Sequence, residues 1–220
     1  MEKVIIFGLG DISQIAKFYL LSDKNYEVVA FTVDKEYIKE DRFENLPVVP
    51  FEDLENIYSI SKYKLFIPLS YTKVNKIREQ KFLEAKEKGY SFISYISENA
   101  TVASNATIGK NCFIFEDNTV QPFVTIEDNC ILWSGNHIGH HSIIKANCFI
   151  ASHVVISGGV EVGENTFIGV NATLRDHIII GKSNVIGAGA LILGDTEDNK
   201  VYMQKATEVS RVPSNRLRGL

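Results

Sequence analysis

The chain has 220 residues, 45% of them hydrophobic and 23% charged, and a formal net charge of −4. That length allows one or two globular domains, and the acidic balance argues against nucleic acid as the main partner. No run reaches the ~18 apolar residues of a membrane span, no basic leader precedes the first strand, and three unpaired cysteines fit a reducing compartment; a cytoplasmic protein is expected.

Residues 3–7 (KVIIF) form an apolar run that reads as a buried strand and ends in Gly8-Leu9-Gly10-Asp11. Residues 12–21 carry helical spacing through Ile15, Ala16, Tyr19 and Leu20. Residues 26–33 predict a second buried strand closing on Asp34, 46–49 a short third, 51–54 a helical turn and 64–68 a fourth strand. Residues 74–88 read as an amphipathic helix carrying Ile77, Phe82, Leu83 and Ala85, and residues 90–95 as a last strand. Strands alternating with helices indicate a parallel α/β sheet over residues 1–94.

The turn after the first strand invites a dinucleotide reading, but the full fingerprint needs a glycine at position 13, where this chain has Ser13. Asp34, at the end of the second strand, stands where a ribose-binding acid would lie. What remains is a glycine turn at a helix N-terminus, able to receive a phosphate or hydroxyl group. The alternative is that Gly8 and Gly10 only permit a tight turn.

From Ile96 the pattern changes. Every sixth residue through Ile192 is a branched aliphatic, seventeen positions in succession without an insertion. Neither the helix period of 3.6 nor the strand period of 2 gives this; a period of six predicts a parallel β-helix of hexapeptide repeats over residues 95–220. Three hexads close one triangular coil, so positions i and i+18 stack. The aliphatic residue and the residue two before it point inward. Asn, Gly or Asp often stands three residues after the aliphatic, types that tolerate a left-handed backbone at a corner. Cys112, Cys130 and Cys148 share this spacing, so they stack as a column of small buried thiols, not as a metal site, and Asn111, Asn129, Asn147 and Asn165 form a corner ladder. After Ile192, residues 201–203 predict a final strand, and Lys205, Arg211, Arg216 and Arg218 make a basic tail that caps the open end.

The densest polar cluster is residues 133–141, holding His137, His140 and His141. Asn136 points inward above Asn118, whereas His137 faces outward and His140 and His141 occupy an outward corner. No further ligand types stand in the matching positions of the next coil, so no metal is expected. One coil above His140 lies Gly158, followed by Gly159. An imidazole below exposed backbone N–H groups suits acyl transfer, the base taking a proton while an N–H stabilises the oxyanion. Ser134, Ser152, Val170 and Ala188 stack on another corner and form a groove along the axis.

On His140, the Gly158-Gly159 pair one coil later, and the two-part pattern, the whole chain resembles bacterial sugar acyltransferases of the hexapeptide-repeat superfamily. The similar branch is that of sialic acid O-acetyltransferase and the nucleotide-aminosugar N-acetyltransferases. The resemblance implies a Rossmann-like N-terminal domain followed by a left-handed β-helix, a homotrimer with sites between neighbouring prisms, and acetyl-CoA as donor. It implies His140 as the general base with His141 beside it, and Gly158, Val170 and Ala188 along the donor. Gly8, Gly10, Asp34 and His137 are the acceptor-side candidates. The implied reaction is N-acetylation of a nucleotide-linked amino-dideoxysugar, such as a dTDP- or UDP-linked 4-amino-4,6-dideoxyhexose, for surface polysaccharide such as lipopolysaccharide O-antigen. Sugar O-acetylation is one rival, and a non-catalytic nucleotide-binding trimeric scaffold is the other. Two departures stand out: the family places Asp or Glu after the catalytic histidine, where this chain has His141, and Gly-x-Gly-Gly-His in the turn, where it has Gly8-Leu9-Gly10-Asp11-Ile12. Outward Phe115, Phe123, Trp133 and Val170 form an apolar patch that trimer formation is expected to cover.

Overall fold

The structure is a computed structural model that describes residues 1–216. Its first part is a five-stranded sheet built from β1 (Glu2–Phe7), β2 (Tyr26–Val33), β3 (Arg42–Phe43), β4 (Leu46–Pro50) and β5 (Tyr63–Phe66), in the order β3-β4-β2-β1-β5. All pairs are parallel except β3–β4. Val4, Ile5 and Ile6 are fully buried, which is why the first strand reads as a continuous apolar run. Helices α1 (Asp11–Ser22), α2 (Leu54–Ile57) and α3 (Lys76–Glu87) accompany the sheet. The strand expected over residues 90–95 shrinks to one bridge, Leu65 with Phe92, before Tyr95–Ile96 enters the repeat. In α3 the expected apolar face is also different: Leu83 is exposed, and the buried positions are Arg78, Phe82 and Ala85.

The second part is a left-handed β-helix, and its two-residue strands pair with their counterparts one coil on, Thr119 with His137 and His137 with Val155. These strands form three parallel sheets, the faces of a triangular prism. One, here the docking face, runs from Tyr95–Ile96 through Phe113–Ile114, Ile131–Leu132, Phe149–Ile150, Phe167–Ile168 and Val185–Ile186 to Val201–Tyr202. The second face holds Thr119–Val120, His137–Ile138 and Val155–Ile156, and the third holds Thr125–Ile126, Ile143–Ile144 and Glu161–Val162.

From Ile114 to Ile192 every sixth aliphatic is buried on the axis. Each position three residues after an aliphatic, from Asn111 to Gly189, has a positive φ, so the corner chemistry follows the period without exception over that stretch. Eleven of those corner residues carry a side chain despite φ near +60°, a cost of order 1 kcal/mol each that the stacked coils impose. Cys112, Cys130 and Cys148 are buried free thiols whose sulfurs contact the carbonyls of Glu127, Lys145 and Gly163. Burial pushes Cys112 and Cys130 up, which keeps them as unreactive thiols. At the open end Val201–Tyr202 extends the docking face, while Asp195, Thr196 and Asp198 accept from the otherwise free N–H groups of Ile179, Gly181 and Lys182. Lys205, Arg211 and Arg216 follow as exposed tail residues; Arg218 lies outside the described residues.

The two parts share a continuous core. Tyr19, Phe66, Tyr71 and Tyr95 pack against Phe113, Phe115, Phe149 and Phe167 on the docking face. Phe115 is therefore buried and Trp133 half-buried by the chain's own first part, which removes both from the apolar patch expected to await a partner. Tyr19 Oη donates to Glu116 Oε2 (2.7 Å), Ser134 Oγ donates to Glu116 Oε1 (2.6 Å), and burial pushes the Tyr19 phenol up to about 12.

At the corner between the third face and the docking face, Asn111 Nδ2 donates to Asn129 Oδ1 and Asn129 Nδ2 to Asn147 Oδ1, both at 2.7 Å. Arg78 of α3 lies fully buried over this ladder. Its guanidinium donates to the carbonyls of Asn129, Asn147 and Cys148 on the prism and to Leu69, Ser70 and Asn75 on its own side. Loss of solvent pushes it down to about 10, still charged at neutral pH. Arg78→Met should lower stability by roughly 2–4 kcal/mol, because several buried carbonyls lose their donor. Thermal unfolding and the emission of Trp133, the sole tryptophan, check this: the midpoint should fall and the emission shift to the red. An unchanged midpoint would show that the carbonyls do not depend on Arg78.

Candidate functional site

Two places on the molecule collect the expected site residues. The first is a cleft of about 950 Å³ between the sheet and the prism. It opens at the carboxyl ends of β1 and β5, where the strand order reverses, the position at which α/β sheets bind ligands. Gly8 to Ser13 and Pro68 to Thr72 form one wall; Trp133, Phe149, Phe167, Ser152, Val170 and Ala188 form the other. Gly8 has φ +110°, and a Cβ there would come within 2.7 Å of Ser13 Oγ. Ser13 is buried and its hydroxyl bonds the Phe7 carbonyl (3.4 Å), so the serine fills the space beside the turn.

Asp34 is not in this cleft. Its carboxylate is paired with Lys81 Nζ at 2.7 Å, and it borders a separate open depression with Glu52, Glu84 and Lys88. The reason lies in α3, which brings Lys81 against Asp34 and over the rings of Phe7 and Phe51. Only the Gly8 and Gly10 part of the expected acceptor-side set therefore lines a cavity with Val170 and Ala188.

The second place is the corner between the second and third faces. His140 and His141 are exposed there, and His141 has φ +60°. The His140 N–H donates to Gln121 Oε1 (2.9 Å), and the His141 ring stacks on Phe123 with centroids 4.6 Å apart. The two rings meet edge to face, Nδ1 to Nδ1, at 3.1 Å. One Nδ1 must donate and the other accept, so this contact fixes opposite tautomers. With His140 as donor, its Nε2 is left as a proton acceptor.

His140 also leans on the next coil: a Cβ on Gly158 would lie 2.6 Å from its Cε1 and 2.7 Å from its Nε2. Only glycine leaves room for the ring in this position. Among the described residues no protein group accepts from the Gly158 N–H, which leaves a free donor beside the imidazole. His137, by contrast, sits half-buried on the second face, one short strand away from the histidine corner. Asn118 and Asn136, stacked inward as expected, are not bonded to each other; both donate to the Trp133 carbonyl.

Gly158 is not at positive φ, so alanine there introduces no backbone strain. Gly158→Ala should leave thermal stability within ~0.5 kcal/mol, because the exposed His140 ring can swing aside. The displaced ring should lose its Nδ1 contact, visible as a change in the His140 imidazole nitrogen resonances. Resonances identical to wild type would show that the ring does not rest on Gly158.

A profile of the family described as GMPPB C-terminal domain matches residues 93–196, and no curated protein sequence matches the chain. Among solved structures, the acetyltransferase domain of PglB from Neisseria gonorrhoeae FA1090, in complex with acetyl coenzyme A, has a TM-score of 0.82 and 22% identity. The match covers 92% of this chain and 96% of that one. PerB from Caulobacter crescentus, in complex with CoA and GDP-perosamine, has a TM-score of 0.82 and 22% identity over 93% and 95%. WeeI from Acinetobacter baumannii AYE has a TM-score of 0.63 and 16% identity over 91% and 96%. The chain thus has the fold of these proteins along nearly its whole length, an α/β sheet docked on a left-handed β-helix of hexapeptide repeats.

Proposed function

We propose that the protein is an acetyl-CoA-dependent N-acetyltransferase acting on the amine of a nucleotide-linked amino-dideoxysugar, in the supply of surface polysaccharide such as lipopolysaccharide O-antigen. The observation that carries this reading is the His140 imidazole, oriented by His141 and resting on Gly158 beside a free backbone N–H. The likeness to PglB with acetyl coenzyme A, and to PerB with CoA and GDP-perosamine, supports the choice of donor and acceptor class. The reaction is placed in the cytoplasm, in keeping with three free cysteines.

In this reading the sugar amine attacks the thioester carbonyl. As the C–N bond forms, His140 Nε2 accepts a proton from the amine nitrogen and the Gly158 N–H stabilises charge on the carbonyl oxygen. The C–S bond then breaks and His140 returns the proton to the departing sulfur. His141 accepts the His140 Nδ1–H and stabilises the imidazolium through a neutral partner. The Rossmann-like first domain, residues 1–94, holds the nucleotide at the Gly8–Gly10 turn, and the donor lies along Gly158, Val170 and Ala188.

The base and the cleft occupy different corners of one prism, at the two ends of the second face. A hexad of extended backbone spans up to ~20 Å, so one chain does not bring them together. A homotrimer, with the histidine corner of one prism set against the cleft of the next, completes the site. The surface around the second face supports this: Phe123, Val155, Val170, Leu191 and Leu193 are each at least 40% exposed.

Release of CoA thiol from acetyl-CoA, over a panel of amino- and hydroxy-sugar nucleotides, tests the reading. Transfer to an amine is expected; release only with acceptors lacking an amine would make it an O-acetyltransferase, and no release with any acceptor would leave a scaffold. His140→Ala should keep the fold and lower turnover by roughly 10²–10⁴. His141→Ala should cost less, and His141→Glu should move the acidic limb of the pH–rate profile to higher pH, since a carboxylate favours the imidazolium. A larger loss for His141→Ala than for His140→Ala would reassign the base. Sedimentation at micromolar concentration should give a trimer, and a monomer with full activity would remove the shared site.

A further inference from the structure

We propose that His177 is a second imidazole of the acyl site, one that binds the donor by hydrogen-bonding the first amide of the pantetheine arm. The proposal deepens the acetyltransferase reading above and rests on it for the identity of the donor.

The Gly158-Gly159 corner lies between two histidine rings. From the coil below, His140 packs against Gly158; from the coil above, His177 packs against Gly159, where a Cβ would fall 2.8 Å from its Cε1. The backbone ties the same residues: the Gly159 N–H donates to the His140 carbonyl (2.8 Å), and the His177 N–H donates to the Gly158 carbonyl (3.0 Å). The peptide joining the two glycines is thus fixed at both ends, and one ring rests on each glycine. The His177 ring is exposed, and among the described residues no group hydrogen-bonds it. Nor does the corner require histidine, since the same column holds Phe123, Gly159 and Asp195 as well as His141. Neither burial nor a structural hydrogen bond accounts for the imidazole.

Donor chemistry accounts for it. The thioester must reach His140 and Gly158, and His177 stands one coil beyond Gly159 on the same corner. An arm lying along that corner toward the C-terminal coils passes the His177 ring. Two methylenes separate the thioester sulfur from the first pantetheine amide, a reach close to the ~4.8 Å between coils. A neutral imidazole offers one donor and one acceptor, matching the carbonyl or the N–H of that amide.

The test uses His177→Gly, which removes the ring while suiting the φ of +55° at this position. Three donors are compared in the full-length protein: acetyl-CoA, S-acetyl-N-acetylcysteamine, which keeps the first amide, and S-acetyl-butanethiol, which lacks it. For the two amide-bearing donors kcat/KM should fall about tenfold, mainly through KM, the scale of one hydrogen bond. The amide-free donor and the acceptor KM should be unaffected, and His177→Asn, which accepts the same backbone and offers an amide, should recover part of the loss. Equal losses for all three donors, or none, would overturn the proposal. Calorimetric titration with CoA alone separates this from the transfer reaction: tenfold weaker binding by His177→Gly supports the assignment even where no acceptor is found. Unchanged CoA affinity in the variant refutes it while leaving the acetyltransferase reading intact.

Discussion

The placement of the cleft depends on one buried cation. Arg78 has no carboxylate partner among its contacts; it is held by neutral acceptors from both parts of the chain. A buried charge survives only when its donors are satisfied, and the stacked corner supplies what a guanidinium needs. Successive coils present Asn129 and Asn147 carbonyls in the same direction, one coil apart, and the planar fork of Arg78 spans them. Asn75 adds its amide to the carbonyls of Asn165 and Thr166, and Glu79 accepts from Asn147 and Asn165. The first turn of α3 therefore reads the asparagine ladder, and that sets the Gly8–Gly10 turn opposite Val170 and Ala188.

Repetition gives the prism its chemical precision. Because every coil has the same length, a side chain and its counterpart one coil on are neighbours, and single substitutions within a column become local sites. A glycine under an imidazole is the device used here, with His140 against Gly158 and His177 against Gly159; His153 against Gly135 repeats it at another corner.

The histidine corner departs from the expected pattern, in which a carboxylate follows the first histidine. The His141 imidazole stands beside His140 where the expected pattern has a carboxylate, and Phe123 holds that ring by stacking. Such a partner fixes the tautomer as a carboxylate would, without the full charge that strengthens the imidazolium. His140 is thus oriented by a ring contact and not by a charged partner.

Much of this was legible in the amino acids alone. The aliphatic period of six determined the prism, its inward columns and its left-handed corners, because a stacked coil leaves no freedom to slip: one inserted residue would turn every later aliphatic outward. The same arithmetic places His140 one coil below Gly158. Sequence spacing could not reveal contacts between the two parts, which have no common period. Arg78 reads as an ordinary solvated helix charge until the asparagine ladder is packed against it. Asp34 reads as a ribose ligand until α3 brings Lys81 to it. Phe115 and Trp133, stacked on each other, read as free surface until Tyr19 arrives from a residue far away in the chain. The repeat encodes its own geometry locally, whereas the docking of sheet on prism is a long-range packing event that only the tertiary structure decided.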